Sequence, residues 1–178
     1  AETYILFKKD QESRFLNSCA YHNDTLHYNF MQNETKGISK HESLNIFMAT
    51  VSPKYKRFKS DLRILKDFRN KEVTTVLFGT YGRHYLKEPF QLKWELVNET
   101  DTIKGLICYK AITKHGGRTY MVWYTPQIPI QDGPYVFHGL PGLITKVVDS
   151  ELWYYFELEQ FDVSPETDLV TPPFLTPS

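Results

Sequence analysis

Four residues with soft or imidazole donors crowd into one short stretch, SCAYHNDTLHYNFM: Cys19, His22, His27 and Met31. Thiolate, imidazole and thioether together make a donor set of the kind copper or zinc takes. The spacing matches no closed zinc pattern, and surface histidines with a core methionine account for the same residues. Cys108 stands far away in the chain. Two cysteines so placed suit one disulfide in an oxidising compartment, or two separate thiols. A nucleophilic role for Cys108 would need a lowered pKa and a histidine beside it. Its setting in an apolar alternating run favours a small buried side chain instead. No GxSxG elbow is present, so serine catalysis finds no motif. Glu157 and Glu159 share one face of an alternating segment, and the opposite face is apolar, which makes that acidic face solvent-exposed.

A second group suits binding rather than catalysis. Trp94, Trp123 and Trp153 could line a concave face for an apolar ligand, or could be ordinary core. Arg118 opens a strand after Gly116-Gly117, among aromatic residues. A forked donor there pairs with an acid such as Glu99 or Asp101, or reads an anionic ligand.

The stretch TPQIPIQDGPYVFHGLPGLI, 125–144, stands apart. Pro129, Gly133, Pro134, His138, Gly139, Leu140, Pro141 and Gly142 interleave with large apolar side chains. Leu-Pro-Gly suits a type II turn with Pro141 second and Gly142 at positive φ. A stiff crossover between two hairpins explains every Gly and Pro in it, and His138 at its border could cap backbone groups or meet a ligand. No phosphate-cradling GxxxxGK[ST] or GxGxxG pattern occurs.

The elements around this stretch alternate with period two. Leu152, Tyr154, Phe156 and Leu158 fall on one face, so 143–161 is expected to form a hairpin about Asp149-Ser150. A second hairpin is expected from Ile103–Lys114, a His115-Gly116-Gly117 turn and Thr119–Thr125. Tyr4–Phe7, Thr25–Met31, Leu44–Val51, Val73–Phe78 and Gln91–Val97 are further strand candidates. Segment 53–69 fits a short helix or a strand, and its β surroundings favour the strand. The sum is an all-β chain of about eight to ten strands in a single strongly curved antiparallel sheet, a half-barrel or open barrel. Residues 1–163 form one β domain on this reading, and 164–178, with four prolines, an extended tail.

Composition bounds the function. The 178 residues carry 21 basic and 21 acidic side chains. That balance argues against a nucleic-acid binder, which needs clustered positive charge. No stretch approaches the roughly 20 apolar residues of a membrane helix. Twelve Phe, twelve Tyr and three Trp supply material for a core without staples.

The chain resembles the GLPGLI family, secreted or periplasmic proteins of Bacteroidetes. The hexapeptide stands complete as Gly139-Leu140-Pro141-Gly142-Leu143-Ile144. The longer pattern follows in Trp94 within KWELVNETDTI, Gly105, Cys108-Tyr109-Lys110-Ala111, Gly117-Arg118, Trp123-Tyr124-Thr125, Ile128-Pro129, Gly133-Pro134 and Phe137. Leu106 departs from it, since an aromatic residue is usual there. The resemblance is close over roughly 90–160 and loose before that. It implies a place outside the cytoplasm, and its members are encoded near TonB-dependent outer-membrane receptors, which suggests an envelope role. It carries over no established activity, and the cofactor is left unknown. The expectation is therefore a non-enzymatic envelope protein presenting an aromatic concave face or a sheet edge to a peptide, lipid or receptor. The alternative is a soft-metal binder or a small thiol enzyme.

Overall fold

The computed structural model describes residues 1–33, 35–79 and 82–163. Strands β1 (Tyr4–Lys9), β2 (Glu12–Asn17), β3 (Arg63–Asp67), β4 (Glu72–Gly79) and β5 (Gly82–Pro89) form one sheet. Strands β6 (Glu95–Ile103), β7 (Leu106–His115), β8 (Arg118–Thr125), β9 (Leu143–Asp149) and β10 (Tyr155–Glu157) form another. Within each sheet the strands lie in chain order and every pair is antiparallel. The fold is thus mostly antiparallel β, as the alternation predicts. The strands divide into two five-stranded sheets, however, where one curved sheet is expected. Each meander has its own apolar face, and the two faces bury each other.

Local chemistry explains the turns. Gly116 and Gly117 have φ of 54° and 77° between β7 and β8. Two positive φ values in a two-residue loop match the twist of the flanking strands. Lys104 and Gly105, at 50° and 80°, repeat the device between β6 and β7.

Two helices correct the strand assignments at Thr25–Met31 and Leu44–Val51. The first stretch lies in α1 (Ser18–Asn33), and all but Val51 of the second lies in α2 (Lys40–Thr50). The Asn17 side chain accepts the Cys19 amide at 2.9 Å and so caps α1. Ser39 caps α2 by accepting the Glu42 amide. A short 3₁₀ turn, Ser52–Lys54, follows, and β3 occupies the latter part of segment 53–69. α1 lies against the first sheet, where Arg63 of β3 pairs with Asp24 and Phe7 of β1 meets Tyr21.

The core joins three contributors. Phe15, Ile64 and Val73 come from the first sheet, and Ala111, Tyr120, Val122 and Val147 from the second. Val136, Phe137, Leu140 and Ile144 come from the 125–144 stretch. That stretch is therefore a core element as well as a crossover. Segment 164–178 lies outside the described residues.

Candidate functional site

Pro-centred turns begin and end the signature stretch. The Ile130 amide donates to the Ile128 carbonyl across Pro129, and the Gly142 amide donates to the Leu140 carbonyl across Pro141, both at 2.8 Å. These are three-residue turns, which suit the fixed φ of proline. The second replaces the type II turn expected at Leu140-Pro141-Gly142. Gly142 does take a positive φ, 148°. A Cβ built on Gly133 would stand 2.5 Å from the Ile144 Cβ, so this glycine is required by close packing.

Lys66 of β3 enters the stretch from the opposite sheet. Its Nζ lies 2.5 Å from Asp132 Oδ1, and both side chains have no exposure. The same nitrogen donates to the Gly133 carbonyl at 2.6 Å and the Phe137 carbonyl at 3.2 Å. Burial pushes the Lys66 ammonium below its usual range, against the pull of Asp132. Alternation alone would place Lys66 on the Ile64 face of its strand, yet nothing in the sequence marks that lysine as buried. Asp132 forms an antiparallel bridge with His138. The His138 ring is buried against Phe90, and its Nδ1 donates to the Val136 carbonyl at 2.8 Å. Burial lowers the pKa of this histidine. Trp94 Nε1 donates to the His138 carbonyl at 3.0 Å, so Trp94 props the stretch and does not line an open face.

Arg118 pairs with neither Glu99 nor Asp101. Its Nη1 donates to Asp149 at 2.8 Å and Glu151 at 2.9 Å. Asp149 is buried and also accepts the Tyr154 amide at 2.8 Å. Burial alone would raise this carboxyl, but the Tyr154 amide, Arg118 and the Trp153 amide together hold it below its usual range. Tyr120 lies beside this corner, and burial with the neighbouring Tyr135, Tyr154 and Asp149 pushes its phenol up to about 12. Glu99 instead accepts from Lys110 at 2.7 Å.

The three tryptophans do not share a face. Trp123 lies on the outer face of the second sheet, with Lys146 and Lys110 at 5.0 and 5.8 Å from its ring. Trp153 belongs to the turn before β10 and is 76 % exposed. Leu152 joins it in that turn, so β10 is shorter than the expected hairpin arm. The inner sheet faces are filled by the core. A cleft of about 340 Å³ lies instead at one end of the first sheet, among polar residues including Asp10, Glu12, Arg14, Asp67 and Arg69.

α1 does not gather the proposed metal donors. Cys19 and Met31 are twelve residues apart, about 18 Å along a helix axis. Among the described residues no group of three His, Cys, Asp or Glu could hold a metal. Both thiols are free, Cys108 buried with its sulfur 3.3 Å from the Thr145 hydroxyl.

Among the described residues, what lies open is an edge. All eight residues of β5 are exposed, and its register with β4 is unbroken from Gly82 to Pro89. Leu77 and Phe78 of β4, with Tyr85 and Leu86 of β5, are apolar and 37–51 % exposed. The other edges are shorter or interrupted: β1 has six residues, β10 three, and β6 is bulged between Val97 and Thr100. The edge strand was not among the strands expected from the sequence. Its signal is the weak alternation of Arg83, Tyr85 and Lys87 with His84, Leu86 and Glu88.

The chain is similar over residues 114–146 to the model of a family described as Protein of unknown function (Porph_ging). That span includes the hexapeptide. No curated protein matches. Two solved structures resemble the fold, "Structure of PNGF-II in C2 space group" and "Structure of PNGF-II in P21 space group". Each is 15 % identical, with TM-scores of 0.52 and 0.53, and each match covers 91 % of this chain. This chain spans about a quarter of their length, 26 % in each case. No helix among the described residues is long and apolar enough to cross a membrane.

Proposed function

We propose that this chain is a non-enzymatic binding or accessory module of the cell envelope. It docks an extended segment of a partner protein along the outer edge of β5. The observation that carries this reading is the edge itself: eight exposed residues in continuous register, with four large apolar side chains on the hairpin. An open edge offers unpaired amides and carbonyls to an incoming strand, and alternate side chains add selectivity. A peptide suits this surface better than a lipid, because the protein's own side chains fill the space between the sheets and a lipid chain needs an apolar chamber. The envelope assignment rests on the complete hexapeptide and the pattern around it.

A library of displayed linear peptides, panned against the immobilised chain, tests the reading. Selected peptides should carry apolar residues at alternate positions. In NMR titrations their largest shifts should fall on β5 amides. Peptides that map to the polar cleft beside Arg69 or to the Trp123 face would overturn it.

A further inference from the structure

The contact between Lys66 and Asp132 holds an amine nitrogen against a carboxyl group where water is excluded. Nζ stands 2.5 Å from Oδ1 with both side chains fully buried. The Gly133 and Phe137 carbonyls hold two of the Nζ hydrogens, so the third tetrahedral direction is left for the Asp132 carboxyl. Oδ1 accepts the Gly133 amide at 2.8 Å. Oδ2 is buried with no hydrogen-bond partner. Native interiors seldom leave a carboxylate oxygen in that state. Condensing the two groups removes one carboxylate oxygen, and the unpartnered one can leave while Oδ1 keeps its donor.

We propose that Lys66 and Asp132 condense into an intramolecular amide that ties β3 covalently to the signature stretch. A proton first passes from the ammonium to the carboxylate, ending on Oδ2, and leaves a neutral amine beside Cγ, the carbon that bears Oδ1. The new Nζ–Cγ bond forms from the amine lone pair, and the C–O π pair moves onto Oδ1, where the Gly133 amide stabilises the charge. A second Nζ proton passes to the Oδ2 hydroxyl. The Cγ–Oδ2 bond breaks with its electron pair, water departs, and the Oδ1 carbonyl re-forms. The ammonium's three hydrogens end as two in water and one on the amide, and nothing is oxidised or reduced. The remaining N–H keeps its bond to the Gly133 carbonyl. Burial favours the uncharged amine that attacks, and the product removes two charges from an interior that solvates them poorly.

Mass spectrometry of the intact, denatured chain decides the matter. The expected mass is about 18 Da below that of the sequence, one water. Proteolysis should yield a branched peptide joining the fragments of Lys66 and Asp132. Lys66→Arg and Asp132→Ala should return the full mass. The Asp132-Gly133 dipeptide could lose water by itself as a cyclic imide. That product would persist in Lys66→Arg, open in mild alkali and give only linear peptides, and finding it would overturn the proposal. A full-mass native chain after prolonged incubation would overturn it equally. If the variants fail to fold, the branched or linear peptides of the native chain give the answer.

Discussion

A Cβ placed on Gly142 would stand 2.1 Å from the carbonyl oxygen of Thr125. The last glycine of the hexapeptide thus lies directly on the end of β8. Its φ of 148° is one that side-chain-bearing residues rarely adopt. Gly142→Ala therefore meets both strain and a backbone clash. It should lower unfolding free energy by more than roughly 2 kcal/mol, read from the denaturant midpoint. A variant that unfolds like the parent would mean the stretch is no brace.

His138 makes stability depend on pH. Burial holds its pKa below the ordinary 6.5, so the unfolded chain takes the proton first as pH falls. Its contribution is therefore fully present above about pH 6.5 and is lost progressively below it, down to the folded pKa. Thermal melts between pH 7.5 and about 5 should show this decline, and His138→Gln should flatten it. Equal slopes in the two proteins would place the titration elsewhere.

Asp149 and Arg118 should not be equivalent. Asp149→Ala leaves the Tyr154 amide without its acceptor in the turn to β10. Arg118→Ala leaves that bond intact and removes a half-exposed guanidinium. Asp149→Ala should be the more destabilising in chemical denaturation, and the reverse order would contradict an anchoring role for Asp149 in this corner.

The thiols give a chemical check. Counted without reductant, the denatured chain should show two reactive groups. In the native chain Cys108 should be the protected one, since it is fully buried on β7 with its sulfur against Thr145, while Cys19 is only half-buried. A count of zero would mean a Cys19–Cys108 bond, joining α1 to the second sheet.

The sequence revealed the second sheet better than the first. From residue 95 onward, alternation and paired turn residues mark β7, β8 and β9 closely, because each strand packs one face on a single core. The helices were missed for a physical reason. α1 buries only Ala20, Asn23 and Phe30, so its apolar residues trace no clear stripe. α2 buries none of its residues fully. Their caps were the better signal: Asn17 before α1, and Ser39 three residues before Glu42 for α2. Arg118 was legible as an anchoring residue, but its partners are Asp149 at the end of β9 and Glu151 in the turn after it, which no local spacing predicts. Lys66 was illegible, since a lone lysine in a strand says nothing about a carboxylate 66 residues away. The tryptophans show the limit of grouping by type, as Trp94, Trp123 and Trp153 occupy three different surroundings.

Site-specific photo-crosslinking in producing cells tests docking at the β5 edge most directly. A photoreactive residue at His84, one face-mate from Leu86, should give a discrete adduct with a partner protein. The adduct should join β5 to an extended segment of that partner. Leu86→Glu, at a half-exposed position, should abolish the adduct while leaving the melting temperature within a few degrees of the parent. The same reporter at Leu152, in the exposed turn before β10, should give none. Adducts that survive Leu86→Glu, or that form equally from Leu152, would contradict docking at this edge.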